Sequence, residues 1–379
     1  MQLTSEVQSL RDEVRRFILN EVETRTRWIE EHDEMPAELL ARARDIGLFG
    51  LTIPDQYGGI GLDLAGKCAI EEEMGRTHYG FAALIGNHTG ISTTGIVALG
   101  SERLKQKYLP RMASGEWVGC FALTEPHAGS DPAALRTSAV RNGDRWILNG
   151  EKIFITNAPI AQVFTVMAVT DKSKGIKGIS AFVVERGYKG IAVGKSELKM
   201  GMRGCSSSPV AFEDCEVPAE NLLGSEGMGY VQALKTLTQG RVTLAARCVG
   251  MMDKLIEQSV CHMKMRTQGG HALAAYQGLQ WMLADMAVRR DAARLLVERA
   301  IDTLMRGERG TSEAAMAKLH ATESLAQVAD AALQIHGGMG YMRETGIEGV
   351  YRDARVTRIY EGTSEIQRNI IAAQLLKER

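Results

Sequence analysis

The chain has 379 residues and a formal net charge of -1, with 45% hydrophobic and 24% charged residues, enough for two or three ordinary globular domains. Nucleic-acid binding needs a basic excess that this chain lacks, and no apolar run is long enough to span a membrane. The N-terminus enters an amphipathic helix directly, unlike a targeting peptide, so we expect a cytoplasmic location. The six cysteines lack metal-ligand spacing, and we expect no metal site.

Three regions follow one another along the chain, and we take them as domains covering residues 1–116, 117–223 and 224–379. The first is predicted to be helical, because apolar residues recur at three- and four-residue spacing. It includes helices at about Leu64–Met74 and Phe81–Leu99, and it ends in the basic segment Lys105–Pro110.

The middle region contains short apolar segments separated by turn signals such as Asn142-Gly143-Asp144. No long helix intervenes between them, so an antiparallel β-sandwich or barrel is predicted rather than a parallel sheet. The predicted strands are Trp117–Leu123, Arg145–Asn149, Val163–Val169, Ile179–Val184 and Val210–Val217.

Helical periodicity returns after residue 224 and continues to the end of the chain. An apolar seam from Val242 to Ile256 steps by three and four residues and requires a helical partner. Gly269-Gly270 interrupts the pattern, and two long helices are predicted at about Ala275–Leu304 and Glu313–His336.

Two segments of the middle region carry polar residues suited to a binding site. The segment Phe121–Asp131 leaves a strand and turns through several small residues, whose free backbone N–H groups can bind anions or carbonyl edges, although a purely structural turn is the alternative. The segment Leu148–Asn157 is predicted to be a hairpin with Phe154 and Thr156 on one strand face. Rossmann, P-loop, zinc-protease and serine-hydrolase motifs are absent from the sequence.

The segment Arg358–Arg368 places a carboxylate, Glu361, on a glycine-flanked loop before the last helix. Thr363 or Ser364 can cap that helix, leaving Glu361 just outside its N-terminus. Such a carboxylate can be directed into a cavity as a base. The alternative is a solvated side chain paired with Arg358.

Taken together, these segments closely resemble the acyl-CoA dehydrogenase family of FAD flavoproteins. The resemblance covers nearly the whole chain and rests on several independent motifs in family order. They are Thr-Glu-Pro-x-Ala-Gly-Ser-Asp at 124–131, Leu-Asn-Gly-x-Lys at 148–152, Phe-Glu-Asp-Cys-x-Val-Pro at 212–218, Gly-Ser-Glu-Gly-x-Gly at 224–229, Gln-x-His-Gly-Gly-x-Gly at 334–340, Arg-Asp-x-Arg at 352–355 and Tyr-Glu-Gly-Thr-Ser-Glu at 360–365.

The resemblance implies an N-terminal helical domain, a middle β-domain and a C-terminal four-helix domain, with FAD between the last two. By match to the family, the flavin ring would be lined by Phe121, Leu123, Thr124, Phe154 and Thr156, with Ser130 touching the flavin or the pantetheine arm of the substrate. The adenine and pyrophosphate end would be held, partly across a subunit contact, by Arg266, Gln277, Gln334, Gly337 and Gly338. Thr363 and Glu365 would contact the FAD again, and Arg241 and Gly362 would face the substrate.

The same resemblance implies the activity: α,β-dehydrogenation of an acyl-CoA to the trans-2-enoyl-CoA, with Glu361 taking the α-proton and electrons passing to electron-transfer flavoprotein. Some relatives carry the base at the position of Gly240, which has no acidic side chain, so Glu361 is the sole candidate. A homotetramer built as a dimer of dimers is expected, with a short or branched acyl group in a pocket shortened by Phe81 and Ile85.

Several alternatives and one departure remain open at this point. The scaffold can serve an oxidase that uses dioxygen, a non-oxidative eliminating enzyme or an enzyme for acyl carrier protein thioesters. A flavin-free helical scaffold protein is a further alternative. The departure is Gly269, which stands where the family usually has an aromatic residue and puts the packing of the adenine end in doubt.

Overall fold

The computed structural model describes residues 3–377 and contains a β-region between two helical regions, as predicted. The helix predicted at Leu64–Met74 has those bounds. The helix predicted at Phe81–Leu99 is instead two α-helices joined by a π-helical turn, His88–Ser92, because Gly90 adopts φ -95° and ψ -108°. The N-terminal helices are α1 Ser5–Phe17, α2 Glu23–His32, α3 Ala37–Asp45, α4 Leu64–Met74, α5 Tyr79–Asn87, α6 Thr94–Leu99 and α7 Glu102–Ala113.

Helix α7 extends beyond Lys105–Pro110, the segment predicted to end the first region. Ser101 caps the helix by accepting a hydrogen bond from Leu104 N, and the helix continues past Pro110 to Ala113. Its apolar face is buried, and that burial outweighs the one backbone hydrogen bond that proline cannot make.

The middle region forms one eight-stranded sheet. Its strands are β1 Gly119–Ala122, β2 Ser138–Asn142, β3 Arg145–Thr156, β4 Val163–Val169, β5 Ile179–Glu185, β6 Ile191–Val193, β7 Ser207–Pro218 and β8 Leu222–Leu223. They pair in the order β6-β7-β3-β2-β4-β5-β8, with β1 also paired to β4. The pairs β1–β4 and β2–β4 are parallel, so the sheet is mixed, whereas an antiparallel sandwich or barrel was predicted.

The two faces of this sheet pack against different partners. Val163 and Met167 of β4 face a cluster that includes Tyr108 and Leu109 of α7. The alternate residues Phe164 and Val166 face a second apolar cluster formed within the β-region. The strand interior is therefore buried on both sides, as its continuous apolar sequence requires.

Strand β3 replaces the predicted hairpin with one long strand that pairs with β7 along most of its length. Its register shifts between Leu148 and Gly150 and again between Lys152 and Ile155. At the second irregularity Phe154 has φ +57°, a conformation that a β-strand does not use. The bulge turns Phe154 outward and leaves its side chain 64% exposed.

The C-terminal region is helical, and its longest helix, α8 (Gly229–Met265), carries the predicted apolar seam. Val242, Ala245, Val249 and Met252 are buried in the core shared by both helical regions. Gly269 and Gly270 form the turn between β9 Thr267–Gln268 and β10 His271–Ala272. The helices are α8 Gly229–Met265, α9 Gln277–Met305, α10 Thr311–His336, α11 Gly338–Tyr341, α12 Ile347–Thr357 and α13 Ser364–Lys377. No helix within residues 3–377 is long and apolar enough to cross a membrane.

Candidate active site

A cavity of about 340 Å³ lies where the β-region meets α5, α8 and the loop before α13. The structure brings most of the predicted site residues together on its walls: Phe121, Leu123, Thr124, Ser130, Phe154, Thr156, Arg241, Glu361 and Gly362. These residues come from four separate parts of the chain, so only the fold brings them to one place.

The loop that carries Glu361 is held by hydrogen bonds to its carbonyl oxygens. Arg241 Nε and Gln367 Nε2 each donate to the Glu361 carbonyl at 3.2 Å. Lys318 Nζ donates to the Gly362 carbonyl at 2.8 Å. Thr363 caps α13 by accepting from Ile366 N at 3.3 Å, as predicted. The side chains around the loop therefore fix where its backbone lies.

Glu361 itself has φ +54°, which lies in the left-handed region that non-glycine residues seldom occupy. Strained residues of this kind persist only when their surroundings determine the conformation, and they cluster at functional sites. The hydrogen bonds to the Glu361 carbonyl hold the backbone in this conformation. The strained backbone directs the side chain into the cavity.

Glu361 is half-buried, and its Oε2 atom is buried and has no hydrogen-bond partner within residues 3–377. A Cβ atom at Gly240 would stand 2.7 Å from this oxygen, so helix α8 leaves room for it by having glycine there. The alternative of a solvated Glu361 paired with Arg358 is wrong, because Arg358 pairs with Glu323 at 3.0 Å.

Burial raises the pKa of Glu361 above its usual value, although Arg247, Lys318, Arg241 and Lys67 lie near enough to oppose that rise. Desolvation disfavours the charged carboxylate, and the four cations recover only part of the loss. A carboxylate with a raised pKa is a stronger base than a solvated one, which is what removal of a carbon-bound proton requires.

Glu125 and Lys152 lie within two of the family motifs and form a buried ion pair that local sequence does not predict. Lys152 Nζ donates to Glu125 Oε1 at 2.8 Å and to the Leu123 carbonyl at 3.0 Å. Glu125 also accepts from the backbone N–H groups of Arg136 and Thr137 at 2.7 and 3.0 Å. Burial opposes ionisation of Glu125, but Lys152 and these hydrogen bonds outweigh it and lower the pKa of the carboxyl. The pair fixes the turn that follows β1. The ion pair is evident only in the folded structure, because Glu125 and Lys152 each resemble an exposed charged residue in the sequence.

The wall formed by β1 and β3 fits a flavin ring. Phe154 presents an exposed aromatic face at the cavity, held there by its positive φ. Thr124 and Thr156 line the same wall, and the Thr156 hydroxyl lies 3.3 Å from that of Ser207. A planar heteroaromatic ring with a polar edge needs such a combination of apolar surface and hydroxyl groups.

The residues predicted to hold the adenine and pyrophosphate end lie elsewhere, at the surface of this single chain. Arg266, Gln277, Gln334, Gly337 and Gly338 are exposed and do not line the cavity. They gather at one end of the helical bundle, where the rings of His262 and His336 lie in tilted contact, with 4.3 Å between centroids. Glu365 is likewise exposed. Beside Gly269, the Tyr276 hydroxyl donates to the Gln268 carbonyl at 2.5 Å, so an aromatic residue packs against this turn from another position.

The prediction that Phe81 and Ile85 shorten the acyl pocket is wrong. Both are fully buried in the core, and α5 turns a different face toward the cavity, formed by Ala83, Gly86 and Asn87. The error is one of helix rotation, because a shift of one residue turns a helix by about 100°.

Comparison with known proteins defines the class to which this site belongs. Family models for the N-terminal, middle and C-terminal domains of acyl-CoA dehydrogenases match residues 4–116, 120–215 and 227–376. The chain belongs to the acyl-CoA dehydrogenase family, whose members are FAD-dependent oxidoreductases that act on CH–CH bonds.

Among its relatives is the short-chain specific acyl-CoA dehydrogenase of Clostridium acetobutylicum, 40% identical over 375 residues and covering 99% of each chain. Butyryl-CoA dehydrogenase from Megasphaera elsdenii matches with a TM-score of 0.95 and 35% identity, covering 99% of each chain. A chain in the structure of the electron transferring flavoprotein of Acidaminococcus fermentans matches with a TM-score of 0.96 and 39% identity, covering 100% of this chain and 99% of that one.

Proposed function

We propose that the protein dehydrogenates a short acyl-CoA thioester to the trans-2-enoyl-CoA, with Glu361 as the base. The observation that carries the proposal is the unpartnered Oε2 atom of Glu361, held in the cavity by a strained loop beside Gly240. Similarity to a short-chain specific dehydrogenase and to butyryl-CoA dehydrogenase supports the short substrate.

The reaction breaks one C–H bond at each of two adjacent carbons. Glu361 removes the α-hydrogen as a proton and holds it on its carboxyl group. FAD, when held at the wall that carries Phe154, Thr124 and Thr156, would supply the acceptor for the β-hydrogen, which leaves as a hydride. Within residues 3–377 no backbone carbonyl accepts from the Glu361 N–H, which leaves this group free to donate to the thioester oxygen as charge develops there. Glu361 thus polarises the thioester with its backbone and takes the proton with its side chain.

The residues around the base have supporting roles in this proposal. Arg241, Lys318 and Gln367 hold the loop so that the carboxylate reaches the α-carbon, because proton transfer requires hydrogen-bond distance. Phe154, Thr124 and Thr156 would position the flavin ring on the opposite wall.

Two partners complete the proposal. Electron-transfer flavoprotein accepts the electrons, as the match to a chain from such a structure favours. A homotetramer supplies the cover that the exposed adenine-end residues lack in one chain.

The experiment that tests the function mixes the FAD-loaded protein with a panel of acyl-CoAs under anaerobic conditions and follows bleaching of the flavin. Reduction by short acyl-CoAs, followed by electron transfer to electron-transfer flavoprotein, is the expected result. If dioxygen is then admitted, rapid reoxidation with hydrogen peroxide release would instead indicate an oxidase. A flavin that no acyl thioester reduces would contradict the proposal.

A further inference from the structure

A buried ion pair lies at the wall of the cavity, where an alkyl chain would require only apolar side chains. Arg247 lines the cavity, and its Nε and Nη2 atoms both donate to Glu71 Oε2, at 2.9 and 2.6 Å. Both residues are buried, and the second oxygen, Glu71 Oε1, has no partner within the described residues. Buried charges of this kind are expensive to maintain, so a simple apolar pocket gives no reason for them.

The fold makes room for the Arg247 guanidinium at this wall. A Cβ atom at Gly86 of α5 would stand 1.7 Å from Arg247 Nη2, so any other residue at position 86 would displace the arginine. Arg247 follows Gly240 by seven residues on α8, which places it about 10 Å farther along the helix than the position beside the base. Gly240 and Arg247 therefore occupy different parts of the same cavity wall, with the Arg247 charge still near enough to Glu361 to oppose the rise in its pKa.

Cationic side chains outnumber carboxylates around the cavity. Lys67 is buried behind Gly90, where a Cβ atom would stand 3.2 Å from its ammonium group. Glu71 already pairs with Arg247, and Lys67 forms no salt bridge with a carboxylate of the described part of the chain. Four cationic side chains, Arg247, Lys67, Arg241 and Lys318, thus lie around two carboxylates, Glu71 and Glu361. Burial lowers the pKa of Lys67, so the other three cations carry the excess of positive charge most firmly.

We propose that the acyl group of the substrate carries a carboxylate at its far end, which binds to Arg247. This inference rests on the proposed function and names its substrate class: the short-chain ω-carboxyacyl-CoAs. An excess of buried cations attracts an anion, and a guanidinium matches the planar geometry of a carboxylate. The same excess repels an ammonium group. The bonds that form and break at the α- and β-carbons are unchanged.

The test compares each ω-carboxyacyl-CoA of four to six carbons with its isostere, in which an isopropyl group replaces the terminal carboxylate. The measured quantity is the ratio of kcat/KM values for the two compounds, with reduction of the enzyme's own flavin as the signal. The wild-type ratio should favour the carboxylate by ~10-fold or more, the size of a hydrogen bond between charged groups.

Two variants and one control test whether the preference for the carboxylate substrate depends on Arg247. Arg247→Gln should abolish or reverse the ratio. Because this change leaves the Glu71 charge buried alone, Arg247→Gln with Glu71→Gln removes both charges and should give the same reversal with better folding. Arg15→Gln is the control. Arg15 bonds to Glu73, also on α4, through the same two nitrogens at 2.8 and 2.9 Å, but outside the cavity. Its ratio should equal that of the wild type.

The outcomes separate this inference from the function on which it rests. Faster reaction of the isopropyl isosteres in the wild type would overturn the carboxylate assignment and leave the dehydrogenase function intact. Equal losses on both compounds in the Arg247 variants, with a shifted pH profile, would also overturn it, because Arg247 would then act only through the charge of Glu361. Failure of every acyl-CoA to reduce the flavin would contradict both.

Discussion

The two ends of the proposed FAD site are built in different ways within one chain. At the flavin end, the residues that would contact the ring and the base line a single cavity, and buried hydrogen bonds fix them. At the adenine end, Arg266, Gln277 and Gln334 are exposed on the bundle surface. The difference indicates that the chemistry is organised by the single chain, whereas cofactor retention depends on what covers the adenine end.

The largest expected effect comes from a substitution that impairs only the flavin end of the site. Glu361→Gln should slow flavin reduction by ~10²–10⁴, the usual contribution of a general base, while FAD content stays unchanged. Glutamine preserves the size of the side chain and the backbone N–H, so only proton removal is lost. Rapid-mixing measurements of flavin bleaching check this prediction, and reduction at the wild-type rate would show that another group is the base.

Crowding the base from the opposite helix should have a smaller effect. Gly240→Ala places a methyl group 2.7 Å from the present position of Glu361 Oε2, so the carboxylate must move. A displacement of about 1 Å can reduce the rate by ~10²-fold. In Glu361→Gly the space is vacant, and adding Gly240→Glu should restore part of the activity. Steady-state assays of all three variants check both effects, and an unimpaired Gly240→Ala enzyme would contradict the geometry.

The pH dependence of flavin reduction tests the role of Glu361 at the flavin end of the site. Because burial raises the pKa of Glu361, the active carboxylate is lost as pH falls through that raised value, at about tenfold per pH unit below it. A solvated glutamate has a pKa of about 4.3. The decline in rate should therefore begin at a higher pH than it would for such a glutamate. Glu361→Gln should show no such decline. A wild-type rate independent of pH down to the acid unfolding of the protein would argue against the assignment.

The adenine end can be tested separately through cofactor retention. Arg266→Ala should weaken FAD binding and destabilise the oligomer, because an arginine fits a pyrophosphate at a subunit contact. Arg309→Ala, an exposed arginine in the turn between α9 and α10, is the matched control. Flavin content after gel filtration and the sedimentation coefficient are the measurements. Full flavin occupancy and unchanged sedimentation of Arg266→Ala would remove this residue from the cofactor site.

The smallest effect concerns the strained backbone at the base. Glu361→Gly should be more stable than Glu361→Ala by ~1 kcal/mol, because only alanine is disfavoured at φ +54°. Ala372→Gly, in the exposed part of α13, supplies the control with the opposite sign, since glycine weakens a helix. Thermal unfolding of the three variants checks the prediction. Equal stability of the two position-361 variants would mean that the loop relaxes when the carboxylate is removed.

The sequence was sufficient for the parts of this molecule that periodicity and contiguous motifs encode. The long helices, most strands and the cap at Thr363 follow from local patterns. The ion pair between Glu125 and Lys152 could not be predicted, because its partners are 27 residues apart and each looks like a surface charge. The pocket wall was misassigned for a related reason: the face of α5 that meets the cavity depends on how the helices pack.

The central claim is that Glu361 removes the α-proton, and the most direct measurement isolates that step from hydride transfer. An acyl-CoA whose β-carbon carries only methyl groups has no hydride to give, so its α-hydrogens can only exchange with solvent. The FAD-loaded wild-type protein in D₂O should exchange them, as followed by mass spectrometry, and Glu361→Gln should not. Equal exchange by the two proteins would contradict the assignment of Glu361 as the base.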